Sequence, residues 1–268
     1  MTGLIMGGLN YGAIGAINAL SLTSGLKLCL DAGDASSYSS GQSWLDLSGS
    51  GYDFNRGTTS AAQASDPTFN GSAGGLSSAE YWDFDGGDFF TYDSANETWM
   101  QNIHKDSAKF TLVAWGRWPL GVSQIVFGDS AGGVSNTGFH FAVRVAGGLL
   151  FSACNGSGVA ALSMISTALV TTNAWSFIAV SLDEASVNSG IMQINAVQET
   201  GKAAAYTSPA SGSASYPVQL GAAGDNGVGT PPFTNGSREA VACAWEGVAL
   251  TAAQLMDLFN ATRGRLGA

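Results

Sequence analysis

The sequence predicts an all-β protein built as a two-layer sandwich, and three observations carry that expectation. Charged residues make up 11% of the 268 residues, where an ordinary soluble domain has about 25%. Glycine occurs 37 times, about twice its usual share, which suits many tight turns rather than long helices. Beyond residue 24, short apolar alternations punctuated by Gly, Ser and Asn follow one another to the end, the pattern of antiparallel sheet. No βαβ rhythm of about 30 residues is present, which argues against a Rossmann fold or a TIM barrel.

Taken in order, the alternations predict strands at 26–30, 80–84, 88–92, 109–118, 123–127, 139–145, 149–153, 163–170, 175–182, 191–196, 218–220 and 239–246. In 109–118, Phe110, Leu112, Ala114 and Gly116 face one way and Thr111, Val113, Trp115 and Arg117 the other, a period of two. Both faces carry apolar groups, as in a strand inside a two-layer structure. Trp115, Trp175 and Trp245 fall in strand positions as core candidates. One helix is marked by Thr251 as cap, Gln254 completing a capping box, an apolar stripe of Leu255, Leu258 and Phe259, and Gly264 as its stop. A shorter helix or a structured loop runs from Asn96 through Trp99, Met100 and Ile103. Residues 36–60 and 203–215 read as Ser/Gly/Ala-rich loops.

Residues 1–24 form a separate apolar arm. No Lys or Arg precedes it, which opposes a secretory leader, and Gly3, Gly7, Gly8, Gly12 and Gly15 make it a poor isolated helix. The expectation is an assembly or anchoring arm carried by Leu4, Ile5, Met6, Leu9, Tyr11, Ile14 and Ile17, with a domain at 25–268.

Ten Lys+Arg against twenty Asp+Glu give a net charge of −10, which repels a nucleic-acid backbone. Cys29, Cys154 and Cys243 are odd in number and lack a CxxC pair, so neither a disulfide framework nor a zinc knuckle is expected, and buried free thiols are.

Particular residues say more than composition. Gly25-Leu26-Lys27-Leu28-Cys29-Leu30-Asp31-Ala32-Gly33, Ser37-Tyr38 and Trp44-Leu45-Asp46-Leu47-Ser48-Gly49 resemble the opening of laminin-G-like, concanavalin A-like domains of phage and bacterial surface proteins. Phe84-Asp85-Gly86-Gly87-Asp88-Phe89-Phe90, Phe110-Thr111-Leu112-Val113-Ala114-Trp115, Trp175-Ser176-Phe177-Ile178-Ala179-Val180 and Leu220-Gly221 with Phe233-Thr234-Asn235-Gly236 resemble later signatures in order and spacing. The closing Ala244-Trp245-Glu246-Gly247 departs from the aromatic-Asn-Arg sequence more usual there. The resemblance covers roughly residues 25 to 262 and implies a concanavalin A-like jelly-roll β-sandwich with first and last strands adjacent and a short C-terminal helix.

Chemistry-bearing residues are sparse. Glycosidases flank one bond with two carboxylates, and Asp83 and Asp85 lie two apart, but Asp85 falls in a turn signature, and Asp183 and Glu184 read as turn residues. His104 and His140 stand alone and read as structural. Asp225, Asn226 and Asn235 offer the oxygen ligands calcium accepts. Tyr38, Trp44, Trp99 and Trp118, at loops or strand ends, are candidates to stack on a sugar. The resulting expectation is a non-enzymatic virion structural protein, such as a bacteriophage capsid-decoration or tail-fibre protein. It would be made in the host cytoplasm and displayed at the virion surface. Its partners would be other virion proteins, copies of itself and host polysaccharide, with no nucleic acid, no membrane span, no required cofactor, and calcium as an option. The alternative is a secreted or cell-surface carbohydrate-binding module, and a glycoside hydrolase ranks last.

Overall fold

The strand-forming alternations pair into two antiparallel sheets in the computed structural model, which describes residues 11–92, 99–100, 102–130, 135–224 and 233–267. The strands are β1 (Leu26–Asp31), β2 (Ser43–Trp44), β3 (Phe54–Arg56), β4 (Thr68–Asn70), β5 (Tyr81–Phe84), β6 (Phe90–Tyr92), β7 (Lys109–Arg117) and β8 (Gln124–Gly128). They continue as β9 (Thr137–Val143), β10 (Gly148–Asn155), β11 (Ala160–Leu169), β12 (Ser176–Asp183), β13 (Gly190–Ile194), β14 (Val197–Lys202), β15 (Gln219–Leu220) and β16 (Ser237–Glu246). The helices are α1 (Ala13–Ala19) and α2 (Ala252–Leu266).

The first sheet runs β14-β13-β12-β7-β16-β5-β4, with β1 also on β16, and the second runs β11-β10-β9-β8-β15-β6-β3-β2. β1 and β16 pair from Leu26 opposite Trp245 to Asp31 opposite Val241, so first and last strands are neighbours. All twelve predicted strands form, with shifted ends. The range 36–60, read as loop, contains β2 and β3 as well, and β4 and β14 also escaped the reading: each is short or polar, and its pairing comes from its neighbour.

Phe110, Leu112 and Ala114 of β7 point into the space between the sheets with Phe84, Phe90, Phe127, Phe139, Phe141 and Phe151. The other face of β7 is apolar for a different reason. Val113 and Trp115, with Phe177, Val241 and Trp245, form a second core beneath α1 and α2, and the Trp115 ring stacks on Phe259 of α2 at 5.9 Å. Trp175 is half-buried against that second core.

The Thr251 capping box forms as expected. α2, however, runs through Gly264 and stops at Gly267, whose φ of 74° is the left-handed cap conformation. Gly264 is tolerated inside because Arg265, beyond it, is anchored in the core: its guanidinium pairs with Asp31 and donates to the carbonyls of Ser77 and Glu80. Asp31 also accepts the N–H of Ala13 at 2.7 Å, at the start of α1.

The arm is thereby corrected in part. Leu4, Ile5, Met6 and Leu9 lie outside the described residues. Ile17 is fully buried against the protein's own sheet and α2, and Tyr11 and Ile14 pack partly buried beside it. The Leu22 carbonyl accepts the indole N–H of Trp245 at 2.7 Å. From Tyr11 on, the segment completes this domain's second core, with Ile17 enclosed in it and Tyr11 and Ile14 partly so. Its glycines do not prevent a helix, because tertiary packing overrides propensity.

A polar ladder on the outer face of the second sheet

The four aromatic side chains expected to stack on a sugar are all buried. Tyr38 packs on Phe69 and Trp82 at 4.7 and 4.5 Å, and Trp44 on Trp82 and Phe90 at 5.7 and 5.0 Å. Trp99 stacks on Tyr52 at 4.7 Å, and Trp118 lies over Gly116, where a Cβ would meet its ring at 2.3 Å. None presents a ring face to solvent, so the sequence assignment is corrected: these rings fill the space between the sheets because apolar area outweighs their polar tips. The stretch around Trp99 is turn where described, and residues 96–98 and 101 lie outside the described set. Asp225 and Asn226 do too, and Asn235 is an exposed residue of a turn. No group of three or more His, Cys, Asp or Glu side chains is gathered to hold a metal among the described residues.

The remaining carboxylates named from the sequence have structural partners. Asp83 pairs with Arg238 at 3.1 Å, Asp85 accepts the N–H of Gly87 across its turn, and Asp183 pairs with Lys109 at 2.9 Å. Glu184 accepts the N–H groups of Ser107 and Tyr206. His104 is buried, with Nε2 3.0 Å from the carbonyl oxygen of Gly212.

The outer face of the second sheet differs from that of the first, which the helices cover. Residues directly opposite one another on paired strands project to the same face. Asn55 lies opposite Thr91, Thr91 opposite Gln219, and Gln219 opposite Gly128. Gly128 lies opposite His140, His140 opposite Ser152, and Ser152 opposite Ser163. Their chain neighbours Phe54, Phe90, Leu220, Phe139, Phe141, Phe151 and Ala153 belong to the inner core, so this row points outward. A ladder of amide, hydroxyl and imidazole groups therefore crosses six strand pairings without a formal charge.

At its centre Gly128 has no side chain because Ala223 crosses it, and a Cβ there would come within 2.7 Å of the Ala223 methyl. Asn55, Thr91, Gln219, His140 and Ser152 are 0 to 6% exposed, while the ladder meets solvent at Ser163, next to Ile165 at 42% exposure. Gln219 Nε2 donates to Thr91 Oγ1 at 3.4 Å, and the Gln219 carbonyl oxygen is buried with no hydrogen-bond partner.

His140 Nδ1 is 3.2 Å from Ser130 Oγ and 3.8 Å from Cys154 Sγ. Burial lowers the His140 imidazole to about 4 and, as the largest effect, raises the Cys154 thiol to about 11. A thiol near 11 does not surrender its proton to an imidazole near 4, so the cluster stays neutral and hydrogen-bonds rather than exchanging protons. The sequence carries the outward direction of each rung though not their alignment: Phe54-Asn55-Arg56, Phe90-Thr91-Tyr92, Val218-Gln219-Leu220, Phe139-His140-Phe141, Phe151-Ser152-Ala153 and Leu162-Ser163-Met164 each place a polar residue after an apolar one that faces the core.

Residues 85–253 match the Laminin_G_3 family model, described as the concanavalin A-like lectin/glucanases superfamily. No curated protein matches the chain. Among solved structures it is similar to botulinum neurotoxin type C, which interacts with two ganglioside molecules (12% identity, TM-score 0.61, 90% of this chain and 52% of that one). The botulinum neurotoxin serotype G binding domain is similar at 14% identity and a TM-score of 0.57, over 87% of this chain and 50% of that one. A Trypanosoma rangeli sialidase in complex with the inhibitor DANA is similar at 12% identity and a TM-score of 0.54, over 88% of this chain and 33% of that one. The chain thus spans about half the length of the toxin structures and a third of the sialidase, and the likeness is one of fold.

Proposed function

Because the chain belongs to the concanavalin A-like lectin/glucanases superfamily through its Laminin_G_3 match, we propose that it is a non-enzymatic carbohydrate-recognition domain that binds at the solvent-facing end of the polar ladder of its second sheet. One observation carries this reading: the outward polar row from Asn55 to Ser163, broken at Gly128 where Ala223 crosses it and open to solvent at Ser163. Sugars present neutral hydroxyls, and neutral amides, hydroxyls and an uncharged imidazole match them in kind. Recognition without bond cleavage is supported by the pairing of Asp83 with Arg238 and of Asp85 with its own turn, which engages the two carboxylates spaced like a hydrolytic pair. Ser163 and Ile165 form the solvent-facing end at which a glycan would enter. Since Ile17 is enclosed in the domain's own core, with Tyr11 and Ile14 packed partly buried beside it, the reading rests on the face and not on attachment through the arm.

The test is a glycan array holding neutral and sialylated oligosaccharides, probed with the full chain and with Ser163→Trp, a surface change that fills the solvent-facing end. Binding that falls about tenfold or more in Ser163→Trp, with an unchanged circular dichroism spectrum, supports the proposal. No glycan bound by the folded protein, or equal binding by the variant, overturns it.

A further inference from the structure

Cys29 and Cys243 stand directly opposite each other on β1 and β16, with their sulfurs 3.6 Å apart as free thiols. The backbone around Cys29 decides what kind of pair this is. Its N–H donates to Asp46 Oδ1 at 2.9 Å and its carbonyl accepts the N–H of Leu47 at 2.8 Å, so both groups point away from β16. Cys29 and Cys243 therefore form a non-hydrogen-bonded pair, the type in which facing Cα atoms approach to about 4.5 Å and side chains are closest. That spacing lies within the range a disulfide spans, about 4.4 to 6.8 Å. Both side chains point to the outer face of the first sheet, under α1 and α2. A void of about 10 Å³ is lined by Cys243, Val113, Ile17 and Leu258 among others.

We propose that Cys29 and Cys243 form a cross-strand disulfide, joining the first strand to the last, when the protein meets a low-molecular-weight disulfide oxidant. One protein thiolate attacks a sulfur of the oxidant, forming a mixed disulfide and expelling the first small thiolate. The second protein thiolate then attacks the protein sulfur of that mixed disulfide and expels the second. The cysteines lose two protons and two electrons, and the oxidant gains both as two small thiols. The mutual hydrogen bond with Cys243 and burial hold the Cys29 thiol well above its usual range, so exchange in the folded state is slow and proceeds through opening or during folding. Cys154, on the opposite sheet beside His140, has no cysteine within reach and serves as an internal control.

The experiment counts free thiols on the full chain. Reduced protein is incubated with oxidised glutathione, once folded and once during refolding from denaturant, then trapped with N-ethylmaleimide under denaturing conditions. The expected result in at least one arm is a single maleimide, on Cys154, with a peptide linking Cys29 to Cys243; prior reduction restores three. Three maleimides in both arms, glutathione retained on Cys29 or Cys243, or a bond from either to Cys154 overturns the proposal. In Cys243→Ser, checked for folding by circular dichroism, the internal bond must vanish, and its persistence as a Cys29–Cys154 link also counts against it.

Discussion

Asp31 joins three parts of the chain that are remote in sequence. Its carboxylate accepts the N–H groups of Ala13 and Gly33 and pairs with Arg265, whose guanidinium lies so close to Gly33 that a Cβ there would meet Nη2 at 2.5 Å. Both charged side chains are essentially inaccessible, at 0% and 2% side-chain exposure. A buried pair of this kind contributes modestly against an apolar replacement of both members, but breaking it leaves one buried charge alone. Arg265→Met is therefore expected to cost about 3 to 5 kcal/mol, read as a lower urea midpoint with an unchanged slope. A loss below about 1 kcal/mol would show that Asp31 is satisfied by its backbone donors alone.

Among the elements, α1 and β14 show what short segments do for a sandwich. α1 is seven residues long, too short to persist alone, and it exists because Ala13, Ala16 and Ile17 close the second core. Ile17→Ala should cost about 2 to 5 kcal/mol by chemical denaturation, whereas a detachable arm would tolerate the change. β14 protects an edge: Glu199 accepts the N–H groups of Thr167 and Ala168 and the Thr167 hydroxyl on β11, and Lys202 donates to the Ile165 carbonyl. Burial raises the Glu199 carboxyl, but the Ala168 N–H, the Lys202 ammonium paired with it at 2.7 Å and the Thr167 hydroxyl and N–H outweigh burial and bring it down to about 2. A depressed carboxylate stabilises the fold above its ordinary value and loses that contribution as pH falls from about 4.5 to about 2. Glu199→Gln should thus lower stability by about 1 to 3 kcal/mol at pH 7 and shrink that difference below pH 3, in denaturation series at the two pH values. The alternation that made β7, β12 and β16 legible in sequence is absent from α1, β2 and β14, whose conformations come from partners more than from their own residues. The candidate site was hidden for a related reason: register aligns Asn55, Gln219 and His140 across strands far apart in sequence, and no local pattern records a register.

At the scale of the whole molecule, buried acids whose carboxyls are raised, Asp88 and Glu239 among them, oppose the lowered histidines His104 and His140, and one such pair lies on the second sheet and its turns. Burial lowers His140 to about 4, so its neutral form stabilises the fold above about 6.5, and that contribution is lost as pH falls toward about 4. Asp88 behaves inversely: burial first, then the neighbouring Asp85 and Asp66 charges, raise it to about 7 against the N–H of Asp85 that it accepts. A raised carboxyl contributes below about 3.8 and loses that contribution as pH rises through about 7. Between pH 4 and 6.5, unfolding therefore takes up a proton at His140 and releases one at Asp88, and the two effects on stability cancel. The native protein should have a shallower stability profile in this window than either single variant. Asp88→Asn, which keeps an acceptor for the Asp85 N–H, unmasks the histidine and should lose stability on acidification more steeply than the native protein, by up to about 1.4 kcal/mol per pH unit. His140→Gln leaves the aspartate unopposed and should lose stability at a similar rate in the other direction. Urea midpoints at half-unit steps from pH 4 to 6.5 separate the cases: parallel profiles in all three proteins would mean that neither group is neutral in the fold, and opposite slopes in the two variants would establish the balance.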